Sequence, residues 1–155
     1  MTTSIDPRRP GADVRFAIDD LYVDYLWALD TQDLPRYLGA FWDDAVLEET
    51  QLDGSVDARR GVEEIRAFAE SHFGGYAGHQ HRESNRMYLP DPSGSPDRWV
   101  LRSYWFTSHR EDGVASFHST GHSKDIVEFR DGQWRFAYRW LQRWPGDVTH
   151  PAEEH

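Results

Sequence analysis

The sequence predicts an α+β fold, with helices and an antiparallel sheet segregated along the chain. Three observations predict it. Helical stripes fill the first half, strand alternation takes over beyond Gly78, and Gly-, Pro- and Asp-rich turns cut the second half into long segments. At 155 residues the chain is one domain by length, large enough to bury a real core.

Residues 1–12 read as a flexible arm. From Asp13 to Leu29 the apolar residues fall at Ile18, Leu21, Tyr22, Tyr25, Leu26 and Leu29, the spacing of an amphipathic helix. Asp33 is placed to cap a second helix, with Pro35 tolerated in its first turn. That helix carries Leu34, Tyr37, Leu38 and Phe41 and ends near Trp42-Asp43-Asp44. A short strand, Ala45–Leu52, turns at Asp53-Gly54 into a weak return strand, Ser55–Arg60. A third helix runs from Val62 to about Phe73 and stops at Gly74-Gly75. Gln80–Leu89, Arg98–Arg110, Val114–Arg130 and Gln133–Trp144 then read as successive antiparallel strands. The domain thus spans residues 13–144, and 145–155 read as a disordered tail.

Composition excludes several classes. Net charge is −10 with no Lys/Arg-rich run, so nucleic acid and anionic membranes are poor partners. With no cysteine, disulfides, thiolate catalysis and Cys-based metal sites are ruled out. No apolar run reaches transmembrane length and the N-terminus lacks a signal-peptide core, so the expected location is the cytoplasm. Aromatic residues make up 14% of the chain, which fits a packed globule with a lined pocket.

One stretch stands apart. In Gly78–Asn85, GHQHRESN, strand alternation puts His79, His81, Glu83 and Asn85 on one face. Buried polar groups cost free energy unless paired, so this face is either solvated or lines a cavity.

Several phrases resemble the SnoaL-like polyketide cyclase and dehydratase group of the nuclear-transport-factor-2-like superfamily. They are Tyr25-x-x-x-x-Asp30, Phe41-Trp42 with Asp44-Ala45, Gly61-Val62-Glu63-Glu64-Ile65, His81…Asn85, and Gly121–Arg139. The resemblance implies a curved sheet wrapped around three helices, closing on one cone-shaped pocket. It also implies a small-molecule substrate, no cofactor, and catalysis by Tyr25, Asp30 and His81, as in scytalone-dehydratase-like members. By the same analogy Asp125 and Trp105 face the pocket and His122 faces out, while Phe41 and Asn85 join the substrate-binding set. Trp105 stands where those dehydratases carry a second catalytic histidine. Arg139 matches a basic position of bile-acid-dehydratase-like members; read alone, it is an exposed arginine alternating with Trp134, Phe136 and Tyr138.

The residue types fit the chemistry. An imidazole titrating near neutrality takes a proton from carbon and returns one to a leaving hydroxyl. A carboxylate on its other nitrogen fixes the tautomer, and a phenol donates to a carbonyl oxygen gaining charge. Read without the family, Tyr25 is equally a core tyrosine and Asp30 a helix breaker. A metal site is the chemical rival, with His79-x-His81 and Glu83 as donors, but the glutamate expected four or five residues later is replaced by Asn85 and Arg86. No metal is therefore expected. The sequence points first to dehydration through an enol intermediate, with isomerisation or cyclisation in natural-product biosynthesis as alternatives. A non-catalytic binding or assembly subunit of the same fold is the rival class. Trp and Tyr on the outer sheet face predict a homodimer.

Overall fold

The computed structural model describes residues 9–75 and 78–147, so most of the expected arm and tail falls outside the described residues. The elements are α1 (Ala12–Thr31), α2 (Leu34–Gly39), β1 (Phe41–Thr50), β2 (Val56–Arg60), α3 (Val62–Gly75), β3 (His79–Pro90), β4 (Arg98–Glu111), β5 (Val114–Arg130) and β6 (Gln133–Arg143). The six strands form one curved sheet in the order β2-β1-β6-β5-β4-β3. Neighbours are antiparallel except β1 and β6, which run parallel. The α+β architecture expected from the sequence is the one observed.

The helices begin and end where local chemistry requires. Asp33 accepts the Arg36 N–H at 3.2 Å, capping α2 with Pro35 just inside it. Gln32, at φ 58°, ends α1 by donating its N–H back to the Ala28 and Leu29 carbonyls. One expectation shifts here. Phe41 and Trp42 leave the helix and open β1, four residues early, because Phe41 pairs with Phe136 and the Phe136 N–H bonds the Ala40 carbonyl at 2.8 Å. The strand is then irregular through the exposed Asp43 and Asp44, which is why sequence periodicity hides its first half.

The core lies between the helices and the inner sheet face. Tyr22, Tyr25, Tyr37, Phe41 and Phe136 form a ring cluster with centroids 5.0–5.8 Å apart. Edge-on and tilted pairs of this kind are each worth about 0.5–1.5 kcal/mol beyond the area they bury. Ile18, Ile65, Leu47, Leu101 and Val127 are buried in the same core. Among the described residues, no helix is long and apolar enough to cross a membrane.

Candidate active site

The helices do not fill the inner face of the sheet completely. A cavity of about 310 Å³ remains, walled by α1, α3 and the inner faces of β1 and β3–β6. Leu26, Leu29, Phe68, Phe106 and Leu141 give it apolar walls, and Tyr25, His72, His81, Glu83 and Arg139 give it polar points. The face of His79, His81 and Glu83 therefore lines a cavity.

Asp30 sits in the last turn of α1, beside the start of β3. Its carboxylate lies 2.7 Å from His81 Nδ1 and also accepts the His81 backbone N–H, at 3.0 and 3.2 Å to its two oxygens. An ionised carboxylate can only accept, so Nδ1 carries the proton and Nε2 is left as the basic nitrogen. The backbone bond locks the residue whose ring the carboxylate orients.

Tyr25 is buried, and its hydroxyl shares a hydrogen bond with that of Tyr37. Burial pushes its phenol above the ordinary value, only partly offset by the nearby Arg139, so it stays protonated and able to donate. Phe41, expected near the substrate, packs behind Tyr25 at 5.8 Å and supports the wall without lining it.

Beneath the cavity lies a buried charge cluster. The Arg139 guanidinium donates to Asp125 Oδ2 at 2.9 Å and to Glu83, and lies 4.6 Å from the Tyr25 ring centre. Asp125 also accepts from the Tyr22 hydroxyl at 2.6 Å and from Ser123 at 3.1 Å. Burial raises the Asp125 carboxyl to about 6, with Glu83 adding to the rise and Arg139 opposing it. Arg139 is thus no exposed arginine. It is fully buried and forms part of the cavity floor, while Asp125 holds it from below.

Asn85 departs from strand parity. A β-bulge between Ser84 and Met87 puts Asn85 at φ 56°, exposed and off the cavity wall. Arg86 turns inward in its place, its guanidinium 3.6 Å from the Tyr22 ring centre and 3.5 Å from Glu83. Trp105 lines the cavity. His122 lies on the opposite face, covered by Trp140 and Trp144 and bonded to Gln142 at 3.0 Å.

Trp105 is held by its fit over Gly121. A Cβ there would stand 2.0 Å from the Gln142 carbonyl oxygen and 2.3 Å from the Trp105 ring. Gly121→Ala should therefore destabilise the fold by about 1–3 kcal/mol in urea denaturation. A loss of only a few tenths would mean that the strand yields and Trp105 is not fixed.

Sequence reading gave no role to Tyr22, Tyr37 or His72, and gave Glu83 only that of a donor in the rival metal site. Glu83 and Tyr22 were visible, one on the polar face of β3 and one on the helical stripe, but their shared partner Arg139 emerges only with the β5–β6 register, Asp125 opposite Arg139. His72 reaches the cavity from α3, where burial, with His81 and His79 adding to it, lowers its imidazole to about 4 and keeps it neutral. A second cluster, His79, His109 and His118, brings its ligating atoms within 4.8 Å of one another.

A family model for a SnoaL-like domain matches residues 12–140. No curated protein matches the chain. Among solved structures, a Nostoc punctiforme protein of unknown function with a cystatin-like fold is 25% identical, with TM-score 0.73, covering 93% of this chain and 98% of its own. A function-unknown protein of Mycobacterium tuberculosis is 26% identical at TM-score 0.73, covering 92% of this chain and 81% of its own. A scytalone dehydratase candidate from Novosphingobium aromaticivorans shares the fold at 23% identity and TM-score 0.69, over 84% of this chain and 83% of its own.

Proposed function

Given that the chain belongs to the SnoaL-like family, we propose that it is an enzyme acting on a small apolar or polycyclic metabolite through its own side chains, with dehydration as the reaction. The observation that carries this reading is the 2.7 Å contact between Asp30 and His81 Nδ1 at the wall of an apolar cavity. His81 Nε2 takes a proton from the carbon next to a substrate carbonyl. Tyr25 donates a hydrogen bond to the carbonyl oxygen as it becomes an enolate. The imidazolium, stabilised by Asp30, then returns its proton to the β-hydroxyl, and the C–O bond breaks to release water and a conjugated carbonyl product. Isomerisation shares the first step and differs only in where the proton returns. A homodimer through the outer sheet face, where Tyr104 and Trp144 pack at 5.4 Å, belongs to the same reading.

The test is a panel of aryl and polycyclic β-hydroxy ketones, followed by conjugated-product absorbance and by exchange of the α-hydrogen in D₂O. Turnover or exchange above the uncatalysed rate is expected for ligands that bind. Tight binding without either would favour the non-catalytic reading.

A further inference from the structure

The three histidines beyond the Asp30–His81 pair are brought together by two backbone devices. His79 and His109 are register partners across β3 and β4. Gly78, at φ +81°, fixes that register. Its carbonyl accepts the Arg110 N–H at 3.1 Å, and a Cβ would stand 2.9 Å from the Arg110 carbonyl oxygen. His118 arrives by the second device. Simple alternation along β5 would put it on the face opposite Ser119, yet both line the cavity. The pairing steps from Thr107–Ser119 to Ser108–Phe117, leaving His118 as the bulged residue and turning it inward.

The result is a triangle of imidazoles at the cavity rim. Ring centres are 4.8 Å apart for His79–His118, 5.3 Å for His79–His109 and 5.7 Å for His109–His118. Ser116 Oγ lies 3.2 Å from His109 Nδ1, a hydroxyl-on-imidazole contact that orients the ring, and the exposed Glu111 carboxylate lies 3.5 Å from Nε2, so coordination through Nε2 displaces that carboxylate. Tetrahedral zinc at its usual bond lengths holds nitrogens about 3.4 Å apart, so atoms that lie within 4.8 Å of one another need to close by at most about 1.4 Å.

We infer that His79, His109 and His118 bind one divalent transition-metal ion, with zinc the first choice for an all-imidazole donor set. Three protein ligands leave the fourth position open. His79 and His118 both line the cavity, and the His79 ring centre is 6.1 Å from that of His81, so this position faces the cavity. It accepts an oxygen donor, a carbonyl or carboxylate of the molecule bound there. This departs from the metal-free expectation because the three donors come from separate strands, and no linear spacing reveals them. The site is distinct from the acid–base pair and binds metal whether or not the proposed dehydration is correct.

The test uses the full chain without a histidine tag, stripped with EDTA and titrated with ZnCl₂ by calorimetry and with CoCl₂ by visible absorption. One zinc per chain and the d–d band of tetrahedral cobalt are expected. His118→Asn, at an exposed bulge that tolerates the change, and His79→Gln should each lower zinc affinity at least 100-fold, and Ser116→Ala roughly 10-fold. His81→Asn should leave it within a few-fold. Absence of stoichiometric binding, or binding undiminished in both the His79 and His118 variants, would overturn the site.

Discussion

Arg139→Met is expected to cost about 3–5 kcal/mol of stability, because it leaves carboxylates buried without their cation. Asp125 and Glu83 both lean on this guanidinium, and both side chains are essentially sealed from solvent. Methionine fills much of the volume, so the loss reports charge and not a void. The pH dependence has a definite sign. In the native protein the Asp125 carboxyl is raised to about 6, so its contribution to stability is fully present below its unfolded value near 4 and is lost as pH rises through about 6. Removing Arg139 raises the carboxyl further, so the variant should lose most at pH 8 and recover part of its deficit at pH 5. Adding Asp125→Asn should restore stability, since an amide resembles the protonated acid. Urea denaturation at the two pH values decides it. A loss below about 1 kcal/mol, or one that grows toward acid, would show that the cluster is not held by this cation.

His81→Ala should remove roughly 10²–10⁴-fold of the catalysed rate, the usual worth of a positioned general acid–base group. Asp30→Asn should lose a comparable amount while the protein stays folded. The amide oxygen can still accept the His81 backbone N–H, but the amide no longer selects the tautomer with Nε2 free. Because the two groups act as a unit, the double variant should be little slower than either single one. Tyr25→Phe should cost at most about 4 kcal/mol of barrier, as one oxyanion donor. The measurement is kcat/KM on a substrate found by the β-hydroxy ketone screen, with circular dichroism as the fold control. If the two single losses multiplied in the double variant, His81 and Asp30 would be acting separately and the dyad would fail.

The long strands β3–β6 were legible to within a residue or two, because their alternation is sustained and Gly- or Pro-containing turns bound each one. Alternation fails wherever the strand adds a residue. Asn85 was expected inward and points out, while Arg86 takes its place; simple alternation would put His118 on the outer face with His122, yet it joins the cavity. Asp30 and His81 are 51 residues apart and come together only through the packing of α1 on β3, so family resemblance, not spacing, singled them out. Arg139 was ambiguous for a related reason. Its period marks a face, but only the sheet order β6-β5-β4-β3 tells that this face is enclosed.

The parallel seam between β1 and β6 also governs when the protein can form. Phe41, near the first third of the chain, pairs with Phe136, and Thr50 pairs with Gln142. The β1–β2 hairpin therefore waits for its neighbour until almost the last residue of the domain has been synthesised. During that interval the nascent chain carries Phe41 and Leu47 without the partner that buries them, a window in which chaperone capture competes with premature association. Pairing over so long a sequence separation must also meet its loop-closure entropy before any contact repays it, which makes this seam the expected slow step of folding.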